Sequence, residues 1–344
     1  MSWQRRLFSF VRFAGLHTAD LGGAGQVVSR RKPLVARMPG GLSAVSAQRQ
    51  PEVLPLERNA WLLQTRKPGH RLGARDLGDG TWLVGPRRAP RRVVRALGRS
   101  GAAHLVYEPA AMQADIRLFQ QGLGNFLSGE HAAWMMREQR VNCVLDVGAN
   151  TGQYARALRA AGYEGRIVSF EPLAHLVEEL ERHSRDDPDW IVVPYALGDA
   201  DEQAEINVVP GTMSSLLDSS EFGREWSSTL RETSTQTIDV RRLDSVFDEA
   251  VAGLEEPRVY LKMDTQGYDV QTFTGAGARL AEVVAMQSEV ACVPIYEGMP
   301  QMIAQLELYQ AAGFSLTGMF PVTIDPRSLR VIEFDAMFIR ADAR

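Results

Sequence analysis

The chain has 344 residues, 45% of them hydrophobic, which is enough for one large domain or two ordinary ones with a sizeable core. Its net charge of −4 hides an uneven split: residues 1–100 hold 19 Lys/Arg against 5 Asp/Glu, the remainder 19 against 37. Two cysteines rule out a disulfide framework, no CxxC or Cys/His cluster points to zinc, and no run approaches the ~18 apolar residues of a membrane span.

Cys143 and Cys292 lie in apolar runs, as buried free thiols do, so a reducing, cytoplasmic setting is expected. Residues 1–101 show no sustained helical or strand periodicity, and Gly, Pro and Arg recur, as in PRRAPRR at Pro86–Arg92. Such a segment buries too little apolar surface to offset chain entropy and is expected to be a basic, disordered extension. Its arginines lack interleaved aromatics, which weighs against a nucleic-acid arm. The opening MSWQRRLFSFVRFAG is interrupted by Arg12 and followed by His17, a poor secretory signal. Its Arg-rich, acid-poor character leaves an organellar transit peptide as an alternative, and a translation start at Met112 as another.

Residues 102–141 form a helical lead-in, expected as two short helices broken around Gly122–Gly124 and capped near Ser128. From 142 to 344, strands and helices alternate at the pace of a parallel sheet. Strands are expected at Cys143–Val147, Ile167–Phe170, Ile191–Pro194, Val259–Met263 and Val283–Gln287, with additional strands at Ala204–Val209 and Thr237–Val240. Helices are expected at Gln153–Ala161, Ala174–His183 and Pro300–Ala312, and a closing antiparallel pair at Phe314–Met319 and Val331–Ile339. The fold class is thus α/β: a seven-stranded, mostly parallel, Rossmann-like sheet with a C-terminal antiparallel hairpin.

The strongest motif is VLDVGANTGQYA, Val144–Ala155. An apolar strand ends in Asp146, turns at Gly148 and Gly152, and enters a helix at the carboxyl end of the sheet, where open α/β folds bind ligands. It lacks the G-x-G-x-x-G of dinucleotide proteins, which disfavours a nicotinamide oxidoreductase. An acid one step before the glycines suits a cationic ligand such as a sulfonium amino acid. The second expected strand ends in SFEP, so Glu171 stands where a carboxylate can accept hydrogen bonds from both hydroxyls of a ribose. In YALGD, Ala196, Leu197 and Asp199 are placed to border an adenine.

In VYLKMD, alternation puts Lys262 and Asp264 on one face and Asp264 at the strand's carboxyl tip. Lys262 is the single lysine after residue 100. Inside an apolar strand it is expected to pair with Asp264 or another acid and to tune a general base. Glu289 ends the next strand near the same rim, as a second base or a substrate ligand. Tyr296 and Glu297 lie in a loop placed to cover an acceptor. His175 and His183 fall on the exposed side of a helix, away from the chemistry.

Taken together, DVGANTGQYA, GRIVSFEP, ALGD, MSSLL at Met213–Leu217, RRLDSVF, LKMDTQGYD at Leu261–Asp269, GAGARL, PIYEGMP and EFDAMFIR resemble the FkbM-type methyltransferase family, from about Asn142 to Arg340. The resemblance implies S-adenosylmethionine (SAM) as cofactor, with contacts at Asp146, Gly148, Asn150, Gly152 and Glu171, and a catalytic neighbourhood around Asp264. It implies an O-methyltransferase acting on a sugar, glycolipid or polyketide-type hydroxyl, with a small-molecule, glycan or lipid acceptor as partner. One position often held by Glu in the family is Gln266 here, so a mechanism needing a carboxylate there fails for this chain. The first hundred residues have no counterpart in the family pattern.

Two other functions remain open. An RNA methyltransferase using the basic arm is disfavoured, because there is no DPPY-like tetrapeptide and Lys262 alone cannot supply the paired lysines of a ribose methyltransferase. A SAM-binding protein without turnover is disfavoured by the presence of Asp264 and Lys262. A carboxylate at the Asp264 tip also suits Mg2+, but Glu289 is the one further ligand in view, so a metal-free site is preferred.

Overall fold

The computed structural model describes residues 112–113 and 115–342, together with the backbone of eight short strands between 17 and 107. By compactness the chain divides into Met1–Leu123 and Gly124–Arg344. In the first unit, β1 (His17–Asp20) pairs antiparallel with β2 (Gln26–Ser29). Strands β3 (Leu34–Arg37), β4 (Ser43–Ser46), β5 (Leu72–Gly78) and β6 (Thr81–Pro86) form a sheet of order β3-β4-β6-β5. Strands β7 (Val93–Leu97) and β8 (Ala103–Tyr107) form a further hairpin. The sequence had suggested no regular element before residue 102. Pairing largely between chain neighbours needs runs of only four to seven residues, too short to register as periodicity. The rest of that stretch, with the expectations placed on it, lies outside the described residues.

The second unit is built on β9 (Cys143–Val147), β10 (Arg166–Phe170) and β11 (Trp190–Val193), followed by the small strands β12 (Ala196–Gly198), β13 (Glu202–Val208) and β14 (Ser234–Arg242). Then come β15 (Val259–Met263), β16 (Val283–Ala291), β17 (Phe314–Ile324) and β18 (Val331–Arg340). The main sheet has the order β11-β10-β9-β15-β16-β18-β17, with β18 and β17 antiparallel, and β12-β14-β13 form a separate small sheet. This is the expected Rossmann-like architecture. All five residues of β9 and all five of β15 are buried, so both strands are apolar on both faces apart from Asp146 and Lys262, which pair with each other.

Seven helices are described: α1 (Ile116–Glu138), α2 (Gln153–Ala160), α3 (Ala174–Ser184), α4 (Glu221–Trp226), α5 (Leu243–Ala250), α6 (Asp269–Gly275) and α7 (Met302–Ala311). Each face of the sheet has its own core. Leu145, Val147, Phe170, Leu261 and Phe338 pack with Phe247, Phe273 and Tyr309 of α5–α7. Val144, Ile167, Tyr260 and Met337 pack with Met135 and Met136 of α1, Leu158 of α2 and Leu180 of α3.

Two boundaries differ from the sequence reading in ways that matter for the site. First, α1 is one continuous helix of 23 residues rather than two. A β-carbon on Gly124 would stand 2.7 Å from the Pro321 carbonyl oxygen, so this glycine permits close packing rather than a break. Ser128 caps nothing; its hydroxyl donates to Asp335 Oδ2 at 2.9 Å. Second, β16 runs on to Ala291, so Glu289 stands inside a strand, not at its end. Among the described residues, no helix is long and apolar enough to cross a membrane.

Candidate functional site

The chain runs outward from β9 through β10 to β11, then returns to lay β15 on the other side of β9. That reversal opens a crevice at the carboxyl ends of the strands. The turn from β9 to α2 shapes its floor, with Gly148 at φ 76°, Asn150 at φ 49° and Gly152 at φ 77°. A β-carbon on Gly148 would overlap the carbonyl oxygen of Asp264, so the β9 turn and the β15 tip can touch only because this residue is glycine.

Glu171 follows β10 and is buried, yet well supported. The Asn150 backbone N–H donates to its Oε2 at 2.9 Å, and the Leu173 N–H donates to its Oε1 at 3.0 Å. Burial raises its pKa, while these two donors pull the other way. Each oxygen keeps a lone pair for a ligand hydroxyl.

The crevice encloses about 660 Å³ of space that opens to solvent. Phe170, Leu173, Leu176, Leu197 and Ile206 give it an apolar wall; Asn150, Glu171, Asp264, Thr265 and Gln266 supply polar groups. An apolar slot with a carboxylate fixed by two backbone donors at one side, and a second carboxylate at the other, fits a nucleoside carrying a cationic substituent.

Behind the strand tips runs a row of charge. Asp146, Lys262 and Gln287 sit in register on β9, β15 and β16. Lys262 Nζ lies 3.0 Å from Asp146 Oδ1, 3.5 Å from Asp264 Oδ2 and 3.3 Å from the Gly148 carbonyl oxygen, with the Tyr154 ring at 5.4 Å. Burial alone would lower the lysine's pKa, but the two aspartates outweigh it and raise it. Asp146 Oδ2 has no hydrogen-bond partner among the described residues.

Beyond Lys262 the acids gather. Glu289 faces Asp335 across the β16–β18 pair, and Glu333 lies two residues earlier on the same side of β18. Gln266, at φ 52°, bridges this group to the crevice: its amide Nε2 donates to Asp264 Oδ1 and to Glu289 Oε2, both at 3.1 Å. Burial and mutual repulsion push Glu289 well above the usual carboxylate range, Glu333 to about 8 and Asp335 to about 6. Among the described residues, no group of three or more His, Cys, Asp or Glu side chains could hold a metal ion.

Of the residues singled out from the sequence, Gly148, Asn150, Glu171, Ala196, Leu197 and Asp264 line the crevice. Asp146, Gly152, Lys262 and Glu289 do not. Strand alternation explains the first: Val147 faces the crevice, so Asp146 points to the opposite face and meets Lys262. A β-carbon on Gly152 would press on Leu180 and Trp190, which makes its role one of packing. Tyr296 is buried and hydrogen-bonded rather than free in a loop, while Glu297, Asp199, His175 and His183 are exposed. Sequence reasoning missed the bridge made by Gln266 and the acids Glu333 and Asp335. The E-x-D alternation in VIEFDAMFIR, with apolar neighbours, was the available signal for the last two.

Residues 146–316 match the methyltransferase FkbM domain family. Comparison with curated proteins returns no match. Among solved structures the chain is similar to a methyltransferase from Thermobifida fusca described as putative, at 9% identity and a TM-score of 0.38, covering 68% of this chain and 90% of that one. It is also similar to Aeropyrum pernix fibrillarin with bound S-adenosyl-L-methionine (9% identity, TM-score 0.35, 90% and 100% covered). A third is magnesium protoporphyrin IX methyltransferase from Synechocystis with bound SAM (10% identity, TM-score 0.35, 65% and 83% covered). The family match supports a SAM-dependent methyltransferase. Over residues 146–316, this chain carries a domain of the FkbM methyltransferase family.

Proposed function

We propose that this chain is an O-methyltransferase that moves the methyl group of SAM to a hydroxyl of a sugar, glycolipid or polyketide-type acceptor, with Asp264 as the base. Bound SAM supplies an electrophilic methyl group on a sulfonium. Glu171 would accept hydrogen bonds from the ribose hydroxyls; Ala196 and Leu197, with Phe170 and Ile206, would flank the adenine. Gly148 and Asn150 shape the floor, and Gly152 lets α2 start close to Leu180 and Trp190. Asp146 acts through Lys262, holding that ammonium group under the strand tip.

The observation that carries the proposal is the position of Asp264. It is the carboxylate that both lines the crevice and touches the buried charge row, through Lys262 Nζ at 3.5 Å. A hydroxyl acceptor must lose a proton as it is methylated, and Asp264 is placed to take it; such a base contributes roughly 10²–10⁴-fold. Alignment of the methyl group with the acceptor supplies much of the rest. Glu289 does not line the crevice and acts on Asp264 through Gln266 rather than on the acceptor.

The test uses the full chain with methyl-labelled SAM and fractionated extracts of glycans, glycolipids and RNA. Label is expected in a glycan or lipid fraction, resistant to EDTA. Asp264→Asn keeps the shape and removes the charge, so SAM binding should persist while transfer falls by about 10²-fold or more. Full transfer by Asp264→Asn, or label confined to RNA, overturns the proposal.

A further inference from the structure

Gln266 occupies a backbone conformation, φ 52°, that residues with a β-carbon rarely adopt, and it does so in the loop that carries Asp264. Four contacts hold it there. Its carbonyl oxygen accepts from Ser215 Oγ at 2.6 Å. Its side-chain Oε1 accepts from the Tyr296 hydroxyl at 3.0 Å, and that hydroxyl shares its single proton with the Met213 carbonyl at 2.9 Å. Its Nε2 donates to Asp264 Oδ1 and to Glu289 Oε2.

The chemistry of these partners fixes which way the amide points. An –NH2 group only donates and an ionised carboxylate only accepts, so the reversed amide would set its oxygen against the Asp264 carboxylate. The same logic constrains protonation. An oxygen that accepts from Nε2 cannot also present a proton to it, so Asp264 Oδ1 is held as a bare acceptor while Lys262 faces Oδ2. Without that donor, Asp264 would face Glu289, Glu333, Asp335 and Asp269 with Lys262 as the single cation among the described residues that contacts it.

We infer that Gln266 is a positioning residue: its amide orients Asp264 and couples it to Glu289. This rests on the reading of Asp264 as the base. It also gives an amide a task that a carboxylate cannot perform at neutral pH. A glutamate there has the same shape but, once ionised, no proton to donate, and it adds a negative charge between Asp264 and Glu289. Protonated, it recovers one of the two donated bonds.

The experiment compares Gln266→Glu and Gln266→Leu with the wild-type chain, measuring methyl transfer to the active extract fraction between pH 5.5 and 8.5, with SAM affinity alongside. Gln266→Glu should fall at least tenfold below wild type at pH 8, and its transfer relative to wild type should recover severalfold toward pH 6. Gln266→Leu should be low throughout, and SAM affinity should change less than about threefold in both. Tyr296→Phe, which removes the donor that orients the amide, should lower kcat severalfold with KM for SAM unmoved. A Gln266→Glu profile parallel to wild type, or a loss explained by SAM affinity, overturns the positioning role. If Gln266→Leu fails to fold, the comparison of Gln266→Glu with Tyr296→Phe decides. If wild type transfers nothing to any fraction, the base assignment of Asp264 fails first and takes this role with it.

Discussion

The two flanks of β9 handle polarity in opposite ways. On the β10 side, the buried polar groups Glu171 and Ser169 are matched: Glu171 has two backbone donors, and Ser169 Oγ accepts from the Trp190 indole at 3.0 Å. On the β15–β18 side, Lys262 serves Asp146 and Asp264 at once, and Glu289, Glu333 and Asp335 crowd behind them, each held above its usual carboxylate range by burial and by its neighbours. A satisfied, half-apolar flank is preorganised to bind, because nothing has to rearrange when a ligand arrives. A flank with unbalanced charge has a different use: small changes in its surroundings move protons. The proposal of a cofactor on the first flank and a base on the second rests on that difference.

The sharpest way to break the comparison is to remove Lys262, the cation shared by Asp146 and Asp264. Lys262→Met leaves Asp146 fully buried with no counter-ion, the case in which losing one partner costs about 3–5 kcal/mol. Urea unfolding should show that loss, and adding Asp146→Leu should restore most of it, because an apolar pair of similar volume tolerates burial. A cost below about 1 kcal/mol for Lys262→Met would mean the pair is better hydrated than its burial indicates.

The binding flank is probed by Glu171→Ala. Losing hydrogen bonds to a charged acceptor typically costs about 1.5–3 kcal/mol, so SAM should bind roughly ten- to a hundredfold more weakly by calorimetric titration. The same substitution frees the Asn150 and Leu173 amides, so Glu171→Gln, which still accepts through one oxygen, should lie between wild type and alanine. Unchanged affinity in both would remove Glu171 from the cofactor site.

How much of this was legible in the sequence depends on the range of the interaction. The edges of β9 and β15 fall at Cys143–Val147 and Val259–Met263, as expected, because both strands are buried on two faces and their apolar runs are bounded by turn residues. The single lysine in VYLKMD announced a buried ion pair, but its shorter contact is with Asp146, 116 residues away in sequence, which strand alternation alone does not reveal. Gly122–Gly124 looked like a helix break because a glycine's use in close packing appears only once its neighbour, here Pro321, is known. Gln266 was read as a departure from a family pattern; its function lies in three partners drawn from the β15 tip itself, β16 and the loop that carries Tyr296. Local pattern thus located the elements, and long-range polar contacts assigned the roles.

The last expected effect concerns the acids on β18 and is read between pH 6 and 8.5. Burial and the neighbouring carboxylates raise Glu333 from 4.5 to about 8 and Asp335 from 3.8 to about 6. In the unfolded chain both return to ordinary values. Between those values the folded chain therefore holds protons that the unfolded chain has released, and stability must fall as pH rises through the window. The Asp335 contribution is lost by about pH 6 and the Glu333 contribution by about pH 8, so the melting temperature should decline between pH 6 and 8.5 and then level off. Glu333→Gln is neutral in both states and should flatten the upper part of that decline. At pH 6, where the wild-type side chain is already protonated, it should change little. Each 1 kcal/mol recovered at pH 8.5 corresponds to about 2–4 °C for a unit of this size. A wild-type curve that rises from pH 6 to 8.5, or a Glu333→Gln curve parallel to it, would show that Glu333 is ionised and paired in the folded chain, and the contrast between the two flanks would have to be redrawn.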